Sequence, residues 1–154
     1  MILGIDPGLH GALAFFDYEA GTLVVNDMPT VTVERGGKAK GEVSPQLLAM
    51  VIRQFDVRRA VVERVNARPG QGVTSMFSFG RSMGMVEGVL GGLNIPMSYV
   101  TPQAWRKAMQ VREGKDGSRL RAMELFPAYA DEFKLKKHDG RAEAALIAYC
   151  GAMK

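Results

Sequence analysis

Apolar and polar positions along the chain fall into blocks whose period changes from one to the next. Ile2 to Ile5 is a continuous apolar run, Gly11 to Asp17 holds a second over Ala12 to Phe16, and Thr22 to Met28 holds a shorter one over Leu23 to Val25, with a turn through Glu19, Ala20 and Gly21 between the last two spans. Short apolar runs bounded by Gly and Pro predict strands, here a meander of three. Thr30 to Glu42 is polar and glycine-containing, with cations at Arg35, Lys38 and Lys40, and reads as a loop, either mobile near a functional face or simply solvated. Ser44 offers an N-cap with Pro45 at the first helical position, and Leu47, Leu48, Val51, Ile52 and Phe55 mark one apolar helical face. Arg59 to Val62 predicts a further strand ending at Glu63, and Ile95 to Val100 a last one. Thr101 and Pro102 open a short helix, Asp116 to Phe126 predicts a basic helix, and Ala144 to Tyr149 belongs to an apolar one.

The helix predicted over Ser75 to Leu93 is unusual in its glycines. Gly80, Gly84 and Gly88 recur every four residues, with Gly91 and Gly92 close behind. Each interior glycine costs about 1 kcal/mol relative to alanine, so a close contact must compensate. That contact is either a partner subunit or the protein's own sheet. Met76, Met83 and Met85 read as packing, as do Phe77, Phe79 and Trp105.

Composition sets the frame for these elements. A chain of 154 residues with 47% hydrophobic content supports one core and predicts a single domain over 1–154. The formal charge of +4 suits a polyanionic partner. Cys150 is the only cysteine, so no internal disulfide forms, and no signal-peptide pattern precedes the first run, which predicts a cytoplasmic protein. Met83 to Val100 is interrupted by Glu87, Asn94 and Pro96 and predicts no membrane span.

Four acids carry the candidate chemistry. Asp6 ends an apolar strand and enters a Pro7-Gly8-Leu9-His10-Gly11 turn, where an unpaired charge in the centre of a sheet costs several kcal/mol, roughly. The glycines at 8 and 11 leave room for a phosphate or metal to approach the backbone. Glu63 repeats the pattern at the end of a second interior strand. Asp139 and Glu143, four residues apart, lie about 40° apart around a helix and point the same way. By themselves they read as an acidic helix start near the positive end of the dipole. Together with Asp6 and Glu63 they point to oxygen ligands for a hard cation.

The motifs GIDPG at Gly4 to Gly8, VVERV at Val61 to Val65 and HDGRAEAALIAY at His138 to Tyr149 resemble those of the RuvC-type Holliday junction resolvases, of the ribonuclease H-like superfamily, and are closest to the smaller phage and prophage members. The resemblance spans nearly the whole chain in order. It implies an α/β fold with a ribonuclease H-like mixed five-stranded sheet flanked by helices, a homodimer, and two Mg²⁺ ions, or Mn²⁺, held by Asp6, Glu63, Asp139 and Glu143 over one DNA strand. Asp6 would bridge both ions, Glu63 would complete one site, and Asp139 and Glu143 would close the other or position the water. His138 is the available imidazole for a general base. By the same resemblance the substrate is four-way or branched DNA, cut by paired symmetric nicks that leave 5′ phosphates. Arg64, Arg68, Arg112, Lys115 and Arg119 are the candidate DNA-binding residues, Lys115 foremost.

This chain departs from the family pattern twice. The last motif usually has two aspartates three residues apart, whereas here the second acid is Glu143. An aromatic residue usually follows soon after the second acid, whereas here Arg64-Val65-Asn66-Ala67-Arg68 follows Glu63. Beside the resolvase reading stand a broader branched-DNA or flap nuclease, a non-catalytic branched-DNA-binding module, and a nucleotide-binding relative with an actin-like phosphate loop. The last needs two such domains, which this length does not provide.

Overall fold

A computed structural model describes residues 1–64, 70 and 72–153. The expected meander forms: β1 (Ile2–Asp6), β2 (Ala12–Asp17) and β3 (Thr22–Asp27) pair antiparallel. The chain then crosses over so that β6 (Arg59–Glu63) lies parallel to β1 and β7 (Met97–Val100) parallel to β6. The sheet order is β3-β2-β1-β6-β7, a mixed five-stranded sheet with helices on both faces.

Alternation along the strands divides the core in two. Leu3, Ile5, Leu13, Phe15 and Val62 face helices α1 (Pro45–Ile52) and α2 (Val73–Gly92), where Leu48, Ile52, Val86 and Leu90 meet them. Ala12, Ala14, Phe16 and Val61 face the other way, toward α3 (Pro102–Ala108), α4 (Gly117–Leu125) and α5 (Asp139–Ala152). Ser44 caps α1 as its sequence predicts, its hydroxyl accepting from Leu47 N–H at 3.3 Å. Thr101 does the same for α3 through Ala104 N–H.

Helix α5 is the central packing element. Ala142, Ala144, Ala145, Leu146, Ile147 and Ala148 are fully buried, as expected of a helix covered on nearly every side. It lies so close to β1 that a Cβ at Gly4 would overlap the Ala144 carbonyl and the Ala148 amide. This close approach seats the first turn of α5 beside the turn that follows Asp6.

Residues 30–42, expected to be a loop, instead form most of a hairpin of β4 (Thr30–Arg35) and β5 (Lys38–Val43), a separate two-stranded sheet. Its two-residue turn is Gly36-Gly37, both at positive φ (59° and 70°), the backbone that a tight hairpin turn requires. Thr30-Val31-Thr32-Val33 supplies the alternating strand. Two 3-10 segments, Pro127–Phe133 and Lys136–His138, link α4 to α5. Among the described residues no helix is long and apolar enough to cross a membrane.

Candidate active site

Register brings the first two acids together. Ile5 pairs with Val62 across the parallel β1–β6 ladder, so Asp6 and Glu63 are the next residues along adjacent central strands. Each lies two residues beyond a neighbour facing α5, Gly4 and Val61, and so shares that face. Glu143 comes down from the second turn of α5.

The three carboxyls act on one another. Burial, then the charges of Glu63 and Glu143, push Asp6 up to about 7, against a hydrogen bond from Gly8 N–H at 3.3 Å. Burial raises Glu63, while the Trp105 indole N–H, 2.7 Å from its Oε1, and the Arg106 charge act in the opposite direction. Burial and then Glu63 raise Glu143, opposed by the Ser118 hydroxyl at 3.1 Å and by Arg106 at 3.3 Å. Glu63 thus raises both of its acidic neighbours, and like charges crowded in this way mark a site that a cation would relieve.

Asp139 stands apart from this trio. It is more than half exposed, and Arg119 Nε lies 2.9 Å from its Oδ1, an ion pair not aligned as a hydrogen bond. Its charge enters as the smallest contribution at Glu143 and does not figure at Asp6. Arg119, expected on a DNA-facing surface, is only 6% exposed. Its guanidinium reaches the carbonyls of Phe133 and Lys134 at 3.4 and 2.9 Å, and also pairs with Asp116. It therefore ties α4 to the 3-10 segment and α5. A cation on a short basic helix reads as solvated, but this one points inward, to two carbonyls and two carboxylates.

Other expected residues divide by exposure. Arg64 follows Glu63 directly, is exposed, and places its guanidinium 5.5 Å from the Tyr99 ring centroid. Lys115 is exposed in the turn before α4, and Arg112 is exposed beside Glu124 at 3.2 Å. Arg68 lies outside the described residues. His138, considered as a general base, is 8% exposed, and its Nδ1 has no hydrogen-bond partner among the described residues. Burial first, then Arg141 and Lys137, lower its pKa, and the acids near it are Asp27 and Glu132 rather than the coupled three. Its surroundings do not support the base role.

Gly11 has a different part from the one expected of it. A Cβ there would overlap the Asp6 carbonyl, so its missing side chain closes the turn on itself instead of admitting a ligand. Phe77, expected to be buried, is 67% exposed near the start of α2. Arg106 belongs to the basic cluster that precedes the final helix in the sequence, whereas Trp105, which reads as packing, and Ser118 are the site residues that pattern alone did not isolate. The only signal was a Trp-Arg pair on a well-capped helix.

As the side chains stand, no three His, Cys, Asp or Glu among the described residues are grouped to hold a metal ion. Glu63 is drawn toward Trp105, and Glu143 toward Arg106 and Ser118. The donor chemistry nonetheless fits a hard divalent cation: three oxygen ligands, Glu63 buried and Asp6 and Glu143 half-buried, close enough to repel, with no soft donor beside them among the described residues.

No protein-family model matches the chain, and no curated protein matches it. Solved structures do. RuvC of Thermus thermophilus in complex with Holliday junction substrate aligns at a TM-score of 0.60 and 18% identity, over 98% of this chain and 92% of that one. A second structure of Thermus thermophilus RuvC aligns at 0.60 and 17% identity, with the same coverage. The yeast mitochondrial Holliday junction resolvase Ydc2 aligns at 0.49 and 18% identity, over 97% of this chain and 76% of that one. The likeness to RuvC shows the fold, the mixed α/β sheet of the ribonuclease H-like class.

Proposed function

We propose that this chain is a divalent-cation-dependent nuclease that resolves four-way DNA junctions by paired, symmetric nicks. The observation that carries the reading is the coupled trio Asp6, Glu63 and Glu143 at the C-terminal ends of two central strands and on α5, with Asp6 held near 7 by burial and repulsion. The RuvC fold at a TM-score of 0.60 supports the substrate class.

In this reading Asp6, Glu63 and Glu143 hold the cation, and Asp139 joins them when Arg119 releases it. Bound Mg²⁺ or Mn²⁺ would supply Lewis-acid activation of water and stabilisation of the departing 3′ oxygen. The chain's own residues do the rest. Arg106, already turned toward Glu143, is placed to meet the phosphate that replaces that contact. Exposed Arg64, Arg112 and Lys115 supply backbone cations on the path to the acids. Paired nicks require two centres, hence a homodimer. Gly80, Gly84 and Gly88 support α2 as its seam, since a Cβ on any of them would meet nothing within 4 Å among the described residues. The protein's own sheet does not take up that stripe.

A binding module without catalysis is the second reading. It is favoured by the ion pairs that engage Glu143 with Arg106 and Asp139 with Arg119. End-labelled four-way junction, flap, duplex and RNA:DNA hybrid, each with Mg²⁺ or EDTA, separate the possibilities. Symmetric, religatable nicks confined to the junction and lost in EDTA are the expected result. Tight junction binding with no cleavage in Mg²⁺ or Mn²⁺ would establish the binding module, and preference for flap or hybrid would keep the centre and change its substrate.

A further inference from the structure

Trp105 is the only tryptophan of the chain, is fully buried, and spends its single polar atom on an acid of the candidate centre. Buried indole N–H groups need an acceptor, and a backbone carbonyl would serve for packing alone. Here the acceptor is Glu63 Oε1 at 2.7 Å, on a side chain 6% exposed. Among the described residues no other group donates a hydrogen bond to that carboxylate. A neutral donor fixed by packing has no rotamer freedom to lose, and it holds one oxygen of Glu63 while leaving the second unbonded. The neighbouring Arg106, 5.5 Å from the Trp105 ring centroid, reaches Glu143. Two consecutive residues of α3 thus restrain two different acids, which a purely structural helix has no reason to do.

We propose that Trp105 is a positioning residue, its indole N–H holding Glu63 in the orientation from which the second oxygen takes the cation. The role rests on the cation-dependent reading of the acid centre. It follows the general pattern in which a fixed donor behind a ligating carboxylate sets that ligand's orientation and basicity, and whose loss typically costs roughly 10- to 100-fold in metal affinity or activity.

Two measurements test it. Trp105→Phe keeps the aromatic packing and removes the donor. It is expected to raise the Mg²⁺ concentration for half-maximal junction cleavage, or to lower kcat, by roughly 10- to 100-fold. KM for DNA should stay near wild type, and the melting temperature should fall only by the several degrees that the smaller ring and the lost bond imply, leaving the variant folded in the assay. A merely structural role would lower stability without moving the Mg²⁺ midpoint or kcat. A variant that keeps the wild-type Mg²⁺ midpoint and kcat overturns the assignment. The second measurement needs neither activity nor that variant. With one tryptophan, the ¹⁵N-labelled wild-type chain gives one indole resonance. That resonance should shift saturably as Mg²⁺ is added, and in Glu63→Ala it should sit elsewhere and ignore Mg²⁺. An indole that does not move in wild type overturns the proposal. If the resonance tracks Mg²⁺ while no branched DNA is cut, the nuclease reading fails and the role of Trp105 at the cation site stands.

Discussion

Asp6 bears the heaviest electrostatic load of any residue in the centre. Its carboxyl rises from 3.8 to about 7, so between those values the folded chain keeps a proton that the unfolded chain has released. Stability without a divalent cation therefore falls as pH rises through that window and stays low above it. A shift of this size corresponds to about 4 kcal/mol for an isolated group, and less within a coupled cluster. Asp6→Asn should melt about 5–10 °C higher than wild type at pH 8 in EDTA and nearly level with it at pH 4, by calorimetry. An unchanged or lower melting temperature at pH 8 would remove the repulsion from the description. Arg119 and Lys115 make a second contrast. Arg119→Ala should lose about 1–3 kcal/mol in urea unfolding, because it strips two carbonyls of a buried donor, while the two carboxylates it pairs with are more than half exposed and return to water. Lys115→Ala should unfold like wild type but bind junction DNA more weakly, with a salt slope reduced by about 1. Identical behaviour of the two variants would contradict the division between a structural and a DNA-facing cation. Asp6 and Glu63 are legible in the chain because a carboxylate ending an apolar strand has no bland explanation. Arg119 and Trp105 are not, since a guanidinium turned inward and an indole bonded across 42 residues leave no periodic trace.

Among the elements, the strands and α1, α3 and α5 follow directly from apolar runs, caps and helical spacing. The β4–β5 hairpin was harder to read because its charges and glycines resemble a solvated loop. Two glycines between strands whose residues alternate in size and polarity were the discriminating sign. The two 3-10 segments have no 3.6-residue period to detect. Helix α2 illustrates a different limit: its glycines announced a close contact without naming the partner. Among the described residues nothing lies within 4 Å of a Cβ on Gly80, Gly84 or Gly88, which is where the proposed second copy would sit. Gly84→Leu removes a helix-interior glycine and should raise the stability of the isolated chain by up to about 1 kcal/mol. It should also block close approach at the proposed seam. Sedimentation should then find wild type dimeric and Gly84→Leu monomeric, and a variant that stays dimeric would place the interface elsewhere.

At the scale of the molecule, sheet and helices cooperate to build one crowded point. Strand register sets Asp6 beside Glu63, the glycine contact under α5 brings Glu143 down to them, and α3 and α4 close around with Trp105, Arg106 and Ser118. Candidate ligands gathered at the carboxyl ends of parallel strands match the general placement of sites in open α/β sheets. The centre is the part of the molecule that folding alone does not favour, since one buried and two half-buried acids repel one another wherever no cation joins them. Function and stability should accordingly respond to the same ion. The measurement that reaches this most directly is cleavage of an end-labelled four-way junction in Mg²⁺ by wild type, Asp6→Asn, Glu63→Gln and Glu143→Gln. Wild type should nick opposite strands symmetrically, and each variant should lose at least about 100-fold in rate while still binding the junction. Cleavage by wild type that persists in EDTA, or that survives any of the three substitutions at full rate, would contradict a cation held by this trio.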